Sequence, residues 1–271
     1  MIAHLLQSSS FLLIAALGGL VAERSGILNI GLEGMIALGA FTAVAARLAG
    51  LSPTGAIVAA ALAGVVPALI FGQFVLRWRA NPFIVGLAIN LLSAGTIPFL
   101  AETILGTRGS VRLPPGSGLP IQAVPFWALG VLVLVWGGLF HTIPGLRLRV
   151  AGEEPRWLQE NHVAVAPYRL LGLIASGIFC GLAGALLALR IGAYLPGISA
   201  GRGWIALVII YLGYRRPWGL AVAALFFGLV EALAVRAQAT AVISPTIILA
   251  LPYLLTVIAF VAYSALFRRR A

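Results

Sequence analysis

Apolar runs about as long as a bilayer core is thick follow one another along this chain, and they limit the folds open to it more than any other feature. A hydrocarbon core about 30 Å thick takes about 20 mostly apolar residues per helical crossing. Runs of that kind fall at residues 5–22, 27–46, 54–76, 82–105, 126–143, 170–189, 218–235 and 246–267, with a shorter one at 204–214. A closed β-barrel also satisfies the backbone in lipid, but its strands alternate apolar and polar residues. Val131, Leu132, Val133, Leu134 and Val135 do not alternate. The expected fold is therefore all-α: a polytopic integral membrane bundle of eight or nine transmembrane helices, with residues 1–271 forming one transmembrane domain. The ninth crossing rests on 204–214, which must recruit 198–202, stay partly re-entrant, or thin the bilayer.

Composition narrows the chemistry. Hydrophobic residues make up 61% of the chain and charged ones 9%, against about 45–50% and 25% in an ordinary soluble domain. All 18 basic residues are Arg and all 7 acidic ones are Glu. Without Lys or Asp there is no Walker A lysine, no magnesium-holding Walker B aspartate and no lysine for a Schiff base. A net charge of +11 would suit nucleic acid, but the arginines are scattered between apolar runs and form no basic face. No nucleic-acid partner is expected. His4, His141 and His162 stand far apart without an HExxH pairing, and no GxSxG elbow is present. Ser176 and Ser199 lack a neighbouring base, so an enzyme would need a site assembled across helices. The one cysteine, Cys180, cannot form an internal disulfide and reads as a buried thiol. The N-terminus lacks a basic region and a clear cleavage site, so the first run reads as a retained span.

Orientation follows from arginines retained on the cytoplasmic side. With Arg268, Arg269 and Arg270 inside, alternation also places Arg24, Arg77, Arg79, Arg147, Arg149, Arg156, Arg169, Arg215 and Arg216 inside. Only Arg47, Arg108, Arg112, Arg190, Arg202 and Arg236 fall outside, which supports nine crossings with a cytoplasmic C-terminus. Residues 106–124, with Pro114, Pro115 and Pro120, read as an irregular outer loop. Residues 146–169 are the one sizeable polar segment on the inner side. Within it Glu153, Glu154 and Pro155 open a short helix that either docks in a partner's groove or belongs to a solvated loop.

Polar residues inside the runs are costly and mark a translocation path or a helix contact. Glu33 lies near the start of the second run between Gly31 and Gly34; Asn29, Asn90 and Glu231 face the same two readings. Arg236, five residues beyond Glu231, reads as an interfacial arginine and not as its partner. Gly177, Gly181 and Gly184, and Gly31, Gly34 and Gly39, form small-residue ridges suited to close helix packing.

Specific strings go further than composition. Residues 23–35 (ERSGILNIGLEGM), 86–92 (GLAINLL), 200–207 (AGRGWIAL) and 251–256 (LPYLLT) resemble, in order, the inner-membrane permease subunits of ATP-binding-cassette (ABC) importers. The likeness is to the branched-chain amino acid and simple-sugar permease family, nearest its nucleoside-type branch associated with basic-membrane-protein lipoproteins. It implies a bacterial-type inner membrane, an ABC ATPase subunit that consumes the ATP, a second permease subunit in a homo- or heterodimer, and an extracytoplasmic solute-binding lipoprotein. The solute would be a nucleoside or simple sugar, and the permease itself would carry no cofactor. Residues 147–155 resemble the family's lead into the coupling helix, which assigns ATPase contact to Arg149, Gly152, Glu153, Glu154, Pro155 and Arg156. Beyond them residues 157–163 depart from the family pattern. The alternative function, on the residues alone, is an ion-coupled secondary transporter or channel using Glu33 or Glu231.

Overall fold

The computed structural model describes residues 2–115 and 123–239. The expected run at 246–267, the 251–256 string and the three C-terminal arginines lie outside the described residues. The described residues are helical almost throughout. Helices α1 (Ile2–Arg24), α2 (Leu32–Leu48), α3 (Pro53–Gly72) and α4 (Pro82–Leu105) come first, α3 ending in a π-turn over Gln73–Arg77. After strand β1 (Val111–Arg112) come α5 (Ala123–Phe140), α6 (Ile143–Glu153), α7 (Pro155–Glu160) and α8 (Ala166–Ile191). Strand β2 (Ala193–Tyr194), α9 (Arg202–Leu212) and α10 (Pro217–Ala239) complete the described chain.

The helix ends follow local chemistry. Ser52, Asn81 and Thr142 cap α3, α4 and α6 by accepting from the N–H of Gly55, Phe83 and Gly145, each with a proline in the first turn. Gly106 and Gly192 end α4 and α8 in the left-handed region, at φ 72° and 71°. Among the described residues five helices (α1, α3 with its π-turn, α4, α8 and α10) are long and apolar enough to cross a membrane, or six if α5 and α6, bent by 74°, form one span. Helix α9 has only 11 residues, in line with the short run at 204–214.

Helices α1 and α8 form the centre. Helix α8 packs on α1, α2 and α3, while α4 lies at the periphery against α2 and α3. These contacts require glycine: a Cβ at Gly39 would collide with the backbone of Gly181, one at Gly64 with Gly177, and one at Gly184 with Ile36 and Ala40. Lipid supplies no hydrophobic drive between helices, so close backbone packing has to hold them.

Two boundaries differ from the sequence reading. The second run was expected to turn helical at 27, but α2 starts at Leu32. Residues 27–31 are held out of the helix because Asn29 Oδ1 accepts from the Gly31 N–H and Asn90 Nδ2 donates to the Ile30 carbonyl. At 146–169 two helices, α6 and α7, stand where an arginine-rich lead and one short helix were expected.

Candidate functional site

The unwound approach to α2 organises the site. Asn90, on α4, bridges it from the side: its Oδ1 accepts from the Gly34 N–H at 2.9 Å while its Nδ2 reaches Ile30 at 3.0 Å. Asn29 is buried and donates to Ser176 Oγ on α8 at 3.0 Å. Glu33, in the first turn of α2, reaches the start of α9. Its Oε1 accepts from the Gly201 N–H and its Oε2 from the Gly203 N–H, both at 2.7 Å. A carboxylate at the N-terminus of a helix meets unpaired N–H groups and the positive end of the macrodipole, so its oxygens are satisfied without a cation. Gly203 is required there, since a Cβ would strike the backbone of Glu33.

Glu33 and Asn90 line a cavity of about 310 Å³ between α2, α4 and the segment following β2. Its other polar walls are Ser93, Tyr194 and Ser199; Ala37, Ile97, Pro98 and Leu195 are among the apolar ones. Strand pairing of Val111 with Tyr194, and an edge-to-face contact with Phe41 at 5.6 Å, fix the Tyr194 ring. Burial pushes the Tyr194 phenol above its usual pKa, so it stays protonated at neutral pH. Asn29 and Glu231 are not among the cavity walls.

Glu231 lies instead in a charged cluster at the end of the bundle where α1 begins. It pairs with Arg202 of α9, each side chain about a fifth exposed. Arg202 and Arg190 both stand over the Phe11 ring, at 5.6 and 5.7 Å, and Arg190 bonds His4 Nδ1 at 3.1 Å. The sequence reading used Arg202 as a flanking charge and as part of the 198–202 stretch and the 200–207 string, and left Glu231 without a partner. It also missed Ser93, Tyr194 and Ser199. Ser93 alone carried a local signal, standing one turn after Asn90 in the order Asn90, Ser93, Ile97 along one face of α4.

At the opposite end, α6 and α7 form a braced platform. Arg24, at the end of α1, pairs with Glu153 at 2.8 Å and donates to the Arg215 carbonyl between α9 and α10 at 2.7 Å from Nη2. Arg215 in turn pairs with Glu23 at 3.0 Å. Gly152 closes on this junction, where a Cβ would collide with the Arg24 carbonyl. Arg149 turns back to the Leu139 carbonyl at 3.0 Å and the Phe140 ring, which makes it a brace of the α5–α6 bend. Glu153, Glu154, Pro155, Arg156, Trp157 and Glu160 line an open trough, with Trp157 53% exposed. The six expected coupling residues thus lie together at one end of the molecule. Among the described residues no three His, Cys, Asp or Glu side chains come together as a metal site.

The family model for the permease component of branched-chain amino acid transport systems matches residues 1–260. The guanosine ABC transporter permease protein NupQ of Bacillus subtilis is 32% identical over 280 residues, covering 93% of this chain and 88% of that protein. The nucleoside ABC transporter permease protein NupC of Lactococcus lactis is 31% identical over 259 residues, covering 86% and 81%. An ABC transporter solved in an inward-facing conformation superposes with a TM-score of 0.58 over 97% of this chain and 85% of its own, at 18% identity, a likeness of fold alone. With a family match across nearly its full length and apolar helices long enough to cross a membrane, the chain belongs to the branched-chain amino acid transport system permease family and is a multi-pass membrane permease.

Proposed function

We propose that this permease is the membrane-spanning subunit of an ABC importer for a small polar solute, a nucleoside or simple sugar, driven by ATP that a separate ATPase subunit hydrolyses. The relatives' names support the solute class. The observation that carries the coupling reading is the platform: α7 offers an exposed trough yet is tied through Glu153 to Arg24 and so to both α1 and the α9–α10 turn. A short braced helix transmits a push from a partner, whereas a free loop absorbs it. In this reading Glu154, Pro155 and Arg156 contact the ATPase, and Arg149, Gly152 and Glu153 hold the platform in place. Glu33 and Asn90 shape the path, and Asn29 and Glu231 pack helices.

The assembly further comprises a second permease subunit and an extracytoplasmic solute-binding lipoprotein, in a bacterial-type cell membrane. The chain crosses eight or nine times and its C-terminus is cytoplasmic. An ion-coupled carrier would need a carboxylate free to take up its ion; Glu33 is committed to two backbone N–H groups and Glu231 to Arg202. Proteoliposomes holding the assembled transporter are expected to accumulate solute only with internal ATP and the ATPase subunit. Uptake by this chain alone under an ion gradient would overturn the proposal. A cysteine at position 157 is expected to react with impermeant maleimide only from the cytoplasmic side.

A further inference from the structure

Three hydroxyl groups on the wall of the Glu33 cavity have no bonding partner among the described residues. Ser93 is 7% exposed, Tyr194 2% and Ser199 5%, and among the described residues no hydrogen bond or other polar contact engages their side chains. Among the described residues the buried side-chain atoms without a partner are Arg169 Nε and Arg202 Nε, so these three hydroxyl oxygens open onto the cavity, where a bound group can reach them. The other polar walls are already engaged: both amide atoms of Asn90 and both carboxylate oxygens of Glu33 bond to backbone. Asn90 keeps one N–H and Glu33 its second lone pairs, and the wall adds three groups that each both donate and accept, carried by α4, β2 and the segment leading to α9. At about 310 Å³ the space matches the smaller ligand sites of proteins.

We propose that this cavity is a solute-binding station inside the permease, and that Ser93, Tyr194 and Ser199 select a neutral, hydroxyl-bearing ring, a sugar or the sugar of a nucleoside, over anions and amino acids. This rests on the transport reading above and adds to it a place and a rule of selection. Charge supplies the rule. Among the described residues Glu33 is the one acidic residue on the wall and no arginine or histidine joins it. A phosphate or carboxylate would enter a poorly solvated space facing a like charge with no cation to meet it. An amino acid's ammonium can meet Glu33, but its carboxylate still finds no cationic side chain on the described wall. A neutral ring loses nothing of this kind, its hydroxyls find the three free partners, and its apolar face lies against Ile97, Pro98 and Leu195.

The test uses the assembled transporter. Cys180 is the one cysteine and is buried, so Cys180→Ala followed by Ala37→Cys puts a single thiol on the cavity wall without touching the three hydroxyls. Uridine, ribose or glucose is expected to slow maleimide labelling at position 37, while uridine monophosphate and leucine leave it unchanged. Removing one oxygen at a time, by Ser93→Ala, Tyr194→Phe or Ser199→Ala, is expected to raise the half-protecting concentration roughly 2- to 10-fold, the range for one neutral hydrogen bond. Thermal melts of each variant separate this from unfolding. Protection by none of the neutral solutes, equal protection by uridine monophosphate, or unchanged half-protection in all three variants would overturn the site. Labelling needs neither ATP nor flux. Protection without ATP-driven uptake would therefore remove the importer reading and leave the site standing, and ATP-driven uptake without protection would do the reverse.

Discussion

A carboxylate inside a membrane protein has to be compensated, and this chain compensates Glu33 and Glu231 differently. Glu33 is met by two backbone N–H groups at the start of α9, whereas Glu231 is met by the Arg202 guanidinium. In the first case, Glu33→Gln keeps one accepting oxygen and turns an amide N–H toward a backbone N–H. The expected loss is about 1–3 kcal/mol, the penalty for a buried donor left unpaired, read as an earlier thermal transition of the purified permease; a variant melting with the parent would refute the clamp. In the second case, removing either partner strands a poorly hydrated charge, while removing both strands none. Arg202→Gln and Glu231→Gln should therefore each destabilise more than the double variant does, with a coupling of about 1–3 kcal/mol, lowered from the fully buried range because each side chain is a fifth exposed. Additive single effects would refute the pair. Neither partnership was legible beforehand: Glu33 and Gly201 stand 168 residues apart, and Arg202 and Glu231 stand 29 apart on different helices. Local spacing cannot signal a contact made only by tertiary packing.

Among whole elements, legibility tracks how local the determinants are. Helix α4 was expected at residues 82–105 and is found there, because Asn81 with Pro82 starts it and Gly106 stops it by chemistry contained in the sequence. Helix α2 starts five residues late, because what unwinds its approach is Asn90, borrowed from α4. The run expected at 126–143 ends close to where α5 does, but the bend into a second helix was missed because only the Thr142 cap and Pro144 mark the turn. The glycine ridges were legible as a pattern, and their partners supply a discriminating experiment. Gly181→Ala puts a methyl into the α3 backbone at Ala60 and is expected to cost about 1–3 kcal/mol, the range for overpacking a tight contact. Gly95 of α4 has nothing within 4 Å of a would-be Cβ, so Gly95→Ala should be neutral or gain up to about 1 kcal/mol from helix propensity. Equal thermal shifts for the two variants would show that the ridge does not hold the helices.

For the molecule as a whole, the two ends are joined by a short series of rigid contacts. Helix α7 follows α6 directly, Glu153 ties that platform to Arg24, and Arg24 holds both the last turn of α1 and the Arg215 carbonyl beside α9. One turn of chain leads into α9, 11 residues long, whose first N–H groups grip Glu33 on the cavity wall. A push on α7 therefore reaches the cavity by way of a helix too short to bend much. Contiguity alone is not coupling; the connection has to be broken and its energy measured. Arg24→Gln removes the ion pair and the bonds to Arg215 together. Because Glu153 is 61% exposed, the loss of stability should be small, about 1 kcal/mol or less. The expected effect is on stoichiometry: in proteoliposomes the variant transporter hydrolyses ATP at the parent's rate but moves less solute per ATP, and Glu153→Gln does the same to a smaller degree, since the Arg215 bonds remain. An unchanged ratio of solute to ATP in both variants would mean that force reaches the cavity by another route, and that the brace serves only to position α7 for its partner.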